Sequence, residues 1–223
     1  MKLMKTFLMK IKERTYLLWL LIWPIEFVWY GVLNSFAREM PRYFTVHCFV
    51  DDLIPFVPFF VIFYILWYLY NAGTILFFAF CEKESFKKLL LFLYIEMFLC
   101  LIFGTIFPNG HDFRPIISGD EGIFYYLVNV IYKMDSGCVT VMPSMHVMNS
   151  IGITFAIGNS DALSKYKWLS PVCWLFTILV ALSTVFIKQH SIIDVFVAVV
   201  VCIPLYIFVY KIKFPIFKKN KAI

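Results

Sequence analysis

Apolar residues run along this chain in long unbroken stretches, and the polar residues collect between them. A helix needs about 20 apolar residues to cross a bilayer. Six stretches approach that length: 16–33, 56–80, 89–107, 146–158, 168–187 and 192–210. The fourth is the shortest, even when counted from Pro143. None alternates polar and apolar positions as a membrane barrel strand must, so the pattern predicts helices. The expected fold is all-α: a polytopic membrane bundle of about six transmembrane helices over 16–210, with a basic arm over 1–15 and a basic tail over 211–223.

Composition agrees with that reading. The chain is 62% hydrophobic and 20% aromatic, and its mean hydropathy is +0.83. Soluble domains are nearer half apolar and a quarter charged. The basic start, MKLMKTFLMKIKER, could introduce a secretory signal, but the apolar run after it contains Pro24 and Glu26 and lacks a small-residue cleavage pattern, so a retained helix is expected.

The net charge of +6 changes meaning once its distribution is read. Fifteen of the twenty Lys and Arg fall on one side of a six-span arrangement, leaving Arg38, Arg42, Arg114, Lys133 and Lys188 on the other. The basic side is cytoplasmic by the usual bias, which places both termini inside. The tail then reads as an anchor touching anionic lipid, not as a nucleic-acid arm. The six cysteines are scattered without CxxC spacing and read as packing residues.

Two connections are long, 34–55 and 108–143; a loop of the second's length is usually either functional or disordered, and its polar content and internal helix pattern favour function. FYYLVNVIY within the second predicts a short amphipathic helix. By the charge count, the second loop, the start of the fourth helix at PSMH (143–146) and the turn before the sixth at 187–190 share the outer face. Asp51 and Asp52 fall on that face too, either lining the pocket rim or, as expected, forming a solvated interface pair. His47 and His111 have no partner that spacing identifies. Glu26 and Glu96, inside apolar runs, call for a hydrogen bond across the bundle or access to the polar interface.

Each outer cluster has chemistry to offer. His190 and Asp194 are four residues apart, hence on one face of a helix. A carboxylate there can fix the imidazole tautomer and leave the other ring nitrogen as nucleophile or base. It can equally be a polar pair closing a helix end. Pro143 suits a first helical turn, behind which free amides make an anion site. Ser144 can donate to a phosphate oxygen and His146 can protonate a leaving group, or the two can be a cap and an interfacial ring. Arg114 carries a planar donor set suited to phosphate. Together with Lys188 these groups describe a phosphate pocket with a covalent nucleophile. A metal held by His111, His146, His190 and Asp194 is the rival. No local zinc spacing supports it, and Arg114 and Lys188 would repel a dication.

These residues resemble the signature of the type 2 phosphatidic acid phosphatase superfamily, K-x6-RP, then PSGH, then SR-x5-H-x3-D. Here the three parts stand as Arg114-Pro115, as Pro143-Ser144-Met145-His146, and as Ser183-Thr184 followed by His190 and Asp194. Phe107 stands where the leading lysine belongs, Met145 where the glycine does, and Thr184 where the second arginine does. The divergent branch that holds inositolphosphoceramide-synthase-like proteins has similar changes. Lys188, two residues before His190, is the candidate replacement for the lost charge.

The resemblance implies a phosphohistidine mechanism without cofactor or metal. His190 attacks phosphorus, Asp194 orients it, and His146 protonates the leaving oxygen. Arg114, Ser144 and Lys188 bind the phosphate. The expected activity is hydrolysis of a lipid phosphomonoester or pyrophosphate, such as phosphatidate, phosphatidylglycerophosphate or an isoprenoid pyrophosphate, at the outer face of the cytoplasmic membrane. Headgroup transfer to an alcohol, and a non-catalytic membrane protein on the same fold, are the alternatives. The partners expected are the lipid phosphate and membrane lipids, with no nucleic acid.

Overall fold

The computed structural model describes residues 15–39, 43–134 and 142–212. The arm before residue 15, the tail from 213, Arg42 and loop positions 135–141 lie outside the described residues. A 3-10 turn at Thr15–Ile22 leads into α1 (Trp23–Glu39). The short strand β1 (Phe44–Thr45) and the one-turn helix α2 (Phe49–Leu53) follow. Next come α3 (Val61–Cys81), α4 (Lys83–Ile106), the strand β2 (Asn109–Gly110) and α5 (Ile123–Met134). The chain ends in α6 (Met145–Gly158), α7 (Leu169–Phe186) and α8 (Ile192–Tyr206), the last continued by a π-helical turn to Lys211.

Among the described residues, five helical stretches are long and apolar enough to cross a membrane: Thr15–Phe36, Pro58–Cys81, Lys83–Ile106, Leu169–Phe186 and Ile192–Lys211. They carry large apolar side chains outward, among them Leu69, Phe80, Leu175, Phe196 and Ile203, each more than half exposed. A water-soluble bundle would bury such a belt. The fourth expected span, α6, has 14 residues, about 21 Å at 1.5 Å per residue. That is shorter than a hydrocarbon core of about 30 Å.

What α6 lacks in length it makes up in contact. It packs against α3, α4, α7 and α8, and most of its side chains are buried. A central helix can carry hydroxyls that a lipid-facing one would waste. Thr154 Oγ1 lies 2.9 Å from Thr177 Oγ1 of α7 and 3.2 Å from the Tyr70 hydroxyl of α3, while Thr177 donates to Ser150 O at 3.2 Å. Gly152 lets α6 approach α4, because a Cβ there would sit 2.5 Å from the buried Phe92 ring.

The two ends of the bundle differ in chemistry. At one end Glu82, between α3 and α4, accepts from the Ser160 hydroxyl and from the amides of Asp161 (2.9 Å) and Ala162 (3.2 Å), which ties that corner to the link after α6. Lys83, Lys165 and Lys167 lie at this end. At the other end β1 pairs in parallel with β2, Phe44 opposite Asn109 and Thr45 opposite Gly110. The amide of Val57, just before α3, donates to Phe186 O at the end of α7 (3.0 Å). The starts of α3, α6 and α8 and the ends of α4 and α7 thus gather at one end. Neither resolution expected for Glu26 and Glu96 is seen. Both are fully buried, and their carboxylate oxygens have no hydrogen-bond partner among the described residues.

The close approach at Gly152 generates a prediction. Gly152→Ala should lower the thermal unfolding midpoint in detergent, by about 1–3 kcal/mol of stability as for other overpacked cores. Adding Phe92→Leu should restore part of the loss, since the ring is what the new methyl meets.

Candidate active site

The turn between α7 and α8 is built from its own backbone. The amides of Gln189 (2.8 Å) and His190 (3.1 Å) both donate to Thr184 O, and Lys188 takes a left-handed conformation with φ +54°. That region favours glycine. Lys188 is held there by its side chain, whose ammonium donates to Asp51 O (2.7 Å) and Ile54 O (2.6 Å). Burial lowers its pKa, against the opposing pull of the Asp51 and Asp52 carboxylates.

Ser191 then caps α8. Its Oγ accepts from Ile193 N at 3.1 Å and donates to Asp51 Oδ2 at 2.6 Å. Asp194, three residues on, accepts from Ser191 N at 2.9 Å and completes a capping box. The same Asp194 Oδ2 lies 3.2 Å from His190 Nδ1. A carboxylate only accepts, so Nδ1 carries the hydrogen and Nε2 keeps its lone pair. The structure thus combines the two roles open to Asp194: it closes the helix end and sets the histidine tautomer. His190 itself is 7% exposed.

PSMH arrives beside this pair. Ser144 N points to Asp194 O at 3.4 Å, linking the first turns of α6 and α8. Ser144 Oγ is fully buried, makes no cap bond, and has no partner among the described residues. The His146 ring packs against Tyr64 (centroids 4.4 Å apart) and Trp67 (4.3 Å) of α3, with its centroid 5.7 Å from that of His190. His146 Nδ1 is buried without a hydrogen-bond partner.

Arg114 completes the group. Its Nη2 donates to the Gln189 side-chain oxygen, and its guanidinium lies 4.8 Å from the Tyr132 ring centroid. The six residues read from the sequence, His190, Asp194, His146, Ser144, Arg114 and Lys188, therefore stand at one end of the bundle. Lys188 sits differently from the rest: two of its three N–H groups are committed to backbone carbonyls. Thr184 bonds back to Ala181 O (2.8 Å). Phe107 is exposed and packs against Phe103.

Three neighbours were not read from the sequence. Asp51, expected to be solvated, is 2% exposed and bonds Ser191, Ile192 N (2.8 Å) and Cys48 N (2.9 Å). Burial pushes its pKa up, but these bonds outweigh burial and hold it below the usual carboxylate value. Its neighbour Asp52 is exposed and pairs with His47 at 2.9 Å. Gln189 accepts from Arg114 while its side-chain nitrogen stays buried and unbonded. His111 stacks on Phe113 and places Nε2 2.8 Å from Gln189 O. That carbonyl can only accept, so Nε2 bears the hydrogen and the unpartnered Nδ1 is an acceptor. The sequence offered His111 only as a member of the rival metal set. Among the described residues no three His, Cys, Asp or Glu side chains are grouped to hold a metal ion.

Comparisons of the chain with family models, with curated proteins and with solved structures return no match.

His111 makes the site's acid response testable. Burial lowers its pKa from 6.5 to about 4. The Gln189 bond opposes the shift, Arg114 and His190 add to it, and Asp194 opposes it. The unfolded chain therefore binds more protons than the folded one between those values. The stability tied to neutral His111 is fully present above pH 6.5 and is lost as the pH falls towards 4. In thermal unfolding scans over that window, His111→Gln should lose stability less steeply than wild type.

Proposed function

We propose that the chain is a membrane lipid-phosphate phosphatase that works through a phosphohistidine. The observation that carries this is the oriented pair His190–Asp194 with a second histidine, His146, at 5.7 Å between ring centroids. His190 Nε2 attacks phosphorus. Asp194 holds the ring and offsets the charge it gains. A bound phosphate favours protonated His146, which delivers its proton to the leaving oxygen. Water then attacks the phosphohistidine and releases phosphate.

Fixed donors meet the charge on the phosphoryl oxygens. Ser144 Oγ and Gln189 Nε2 are buried donors without protein partners. The α6 amides and Arg114 add positive potential, and the third N–H of Lys188 is its contribution. In this reading α6, extended by its capping residues, is the fourth of six crossings. Both termini lie in the cytoplasm, with the site on the outer face of the cytoplasmic membrane. Transfer to an alcohol uses the same intermediate. The acceptor nitrogen of His111 suits an incoming hydroxyl, whether of water or of an alcohol.

Purified protein should release phosphate from a lipid phosphate in the presence of a chelator and should be inhibited by vanadate. His190→Ala should lower turnover by about 10⁴–10⁶. Near wild-type turnover in that variant would refute the covalent route. A new phosphodiester in place of free phosphate would assign transfer.

A further inference from the structure

His146 also faces a groove. A cavity of about 650 Å³ runs between α1, α3 and α6 and is lined at its head by His146, Tyr64 and Trp67. From Tyr64 to Leu76 it follows α3 for twelve residues, about 18 Å. Its deep part is hydrocarbon-like, with Leu20, Trp23, Ile75 and Leu76 on its walls. The volume falls within the range of about 300–1,000 Å³ typical of small-molecule pockets.

Two amides interrupt this apolar lining, Asn71 and Asn149. Each donates one amide hydrogen to the carbonyl four residues back, Asn71 to Trp67 O and Asn149 to Met145 O, both at 2.9 Å. That bond fixes each side chain along its own helix and leaves its oxygen and second N–H for the groove. Trp67 adds a buried indole N–H with no hydrogen-bond partner. Polar groups facing a purely hydrocarbon ligand would be left unsatisfied, which disfavours such a ligand.

The depth of these amides is informative. α3 and α6 both run away from the site. Asn149 lies three residues beyond His146 and Asn71 four beyond Trp67, so the two sit about 4.5–6 Å further along their helices than the His146 ring. In a glycerol- or sphingoid-based lipid phosphate, carbonyl linkages lie a few bonds from phosphorus, at that depth. In an isoprenoid pyrophosphate the same depth holds bare hydrocarbon.

We propose that the groove selects a lipid phosphate whose chains are joined through an ester or amide carbonyl, recognised by Asn71, Asn149 and the Trp67 indole. This rests on the phosphatase reading of the same site. The test compares kcat/KM in one detergent for dioleoyl phosphatidate, its dialkyl ether analogue, ceramide 1-phosphate and farnesyl pyrophosphate. Wild type should favour at least one carbonyl-linked probe over the ether and the isoprenoid by about tenfold or more. In Asn71→Leu and Asn149→Leu that ratio should fall towards one. A ratio taken on one preparation is independent of the fraction folded.

Equal use of ester, amide and ether probes by wild type, or a ratio unchanged in both variants, would overturn the proposal and leave water as the amides' partner. If no probe releases phosphate, the phosphatase reading fails separately. Binding of diacyl and dialkyl phosphonate analogues, followed by tryptophan fluorescence, then makes the same comparison without turnover, and equal binding overturns the groove proposal.

Discussion

The carboxylate of Asp51 joins parts of the chain that are 140 residues apart, and the geometry of the end of the bundle that holds His190 follows from it. One oxygen receives the Ser191 hydroxyl and the other the first amide of α8. Its own carbonyl receives the Lys188 ammonium. The turn that carries His190 is therefore gripped before and after the histidine by one residue of a five-residue helix. A buried carboxylate is tolerated only with several donors around it, and here there are three. Removing them would do more than loosen α2: the left-handed turn at Lys188 and the cap of α8 would lose their common support.

The second constraint is the shortness of α6. A helix of 14 residues surrounded by four others needs no lipid-facing surface, so it can carry serine, threonine and glycine where the longer helices carry leucine and phenylalanine. Its amino end stops below the surface of the bundle, so the Ser144 hydroxyl and the first amides sit in a buried recess. The hydroxyl bonds between Thr154, Thr177 and Tyr70 hold that depth from the inside.

The helical architecture was legible because hydrophobic length is a coarse signal that survives any detail of packing. The short helix in FYYLVNVIY appears as α5, and the three polar clusters do meet at one end of the bundle. The fourth expected span is a well-defined helix but falls short of a bilayer's width, because its apolar run reports burial by neighbours and not by lipid. Asp51 was misread for a related reason. Beside an exposed Asp52, with partners at positions 191 and 192, nothing local separates a buried carboxylate from a solvated one. Gln189 was missed because it lies between two more conspicuous residues, and His111 was read only as a member of the rival metal set. His111 acts through a backbone carbonyl that sequence does not display.

The aromatic packing on His146 has a stereochemical consequence. The ring packs closely against Tyr64 and Trp67, tilted 33° and 43° to them, so α3 constrains the plane in which its nitrogens lie. If phosphorus lies between His190 and His146, in-line displacement requires the leaving oxygen to depart along the line those two rings define. In the proposed reaction two aromatic side chains on a neighbouring helix would then bias that trajectory without touching a reacting atom.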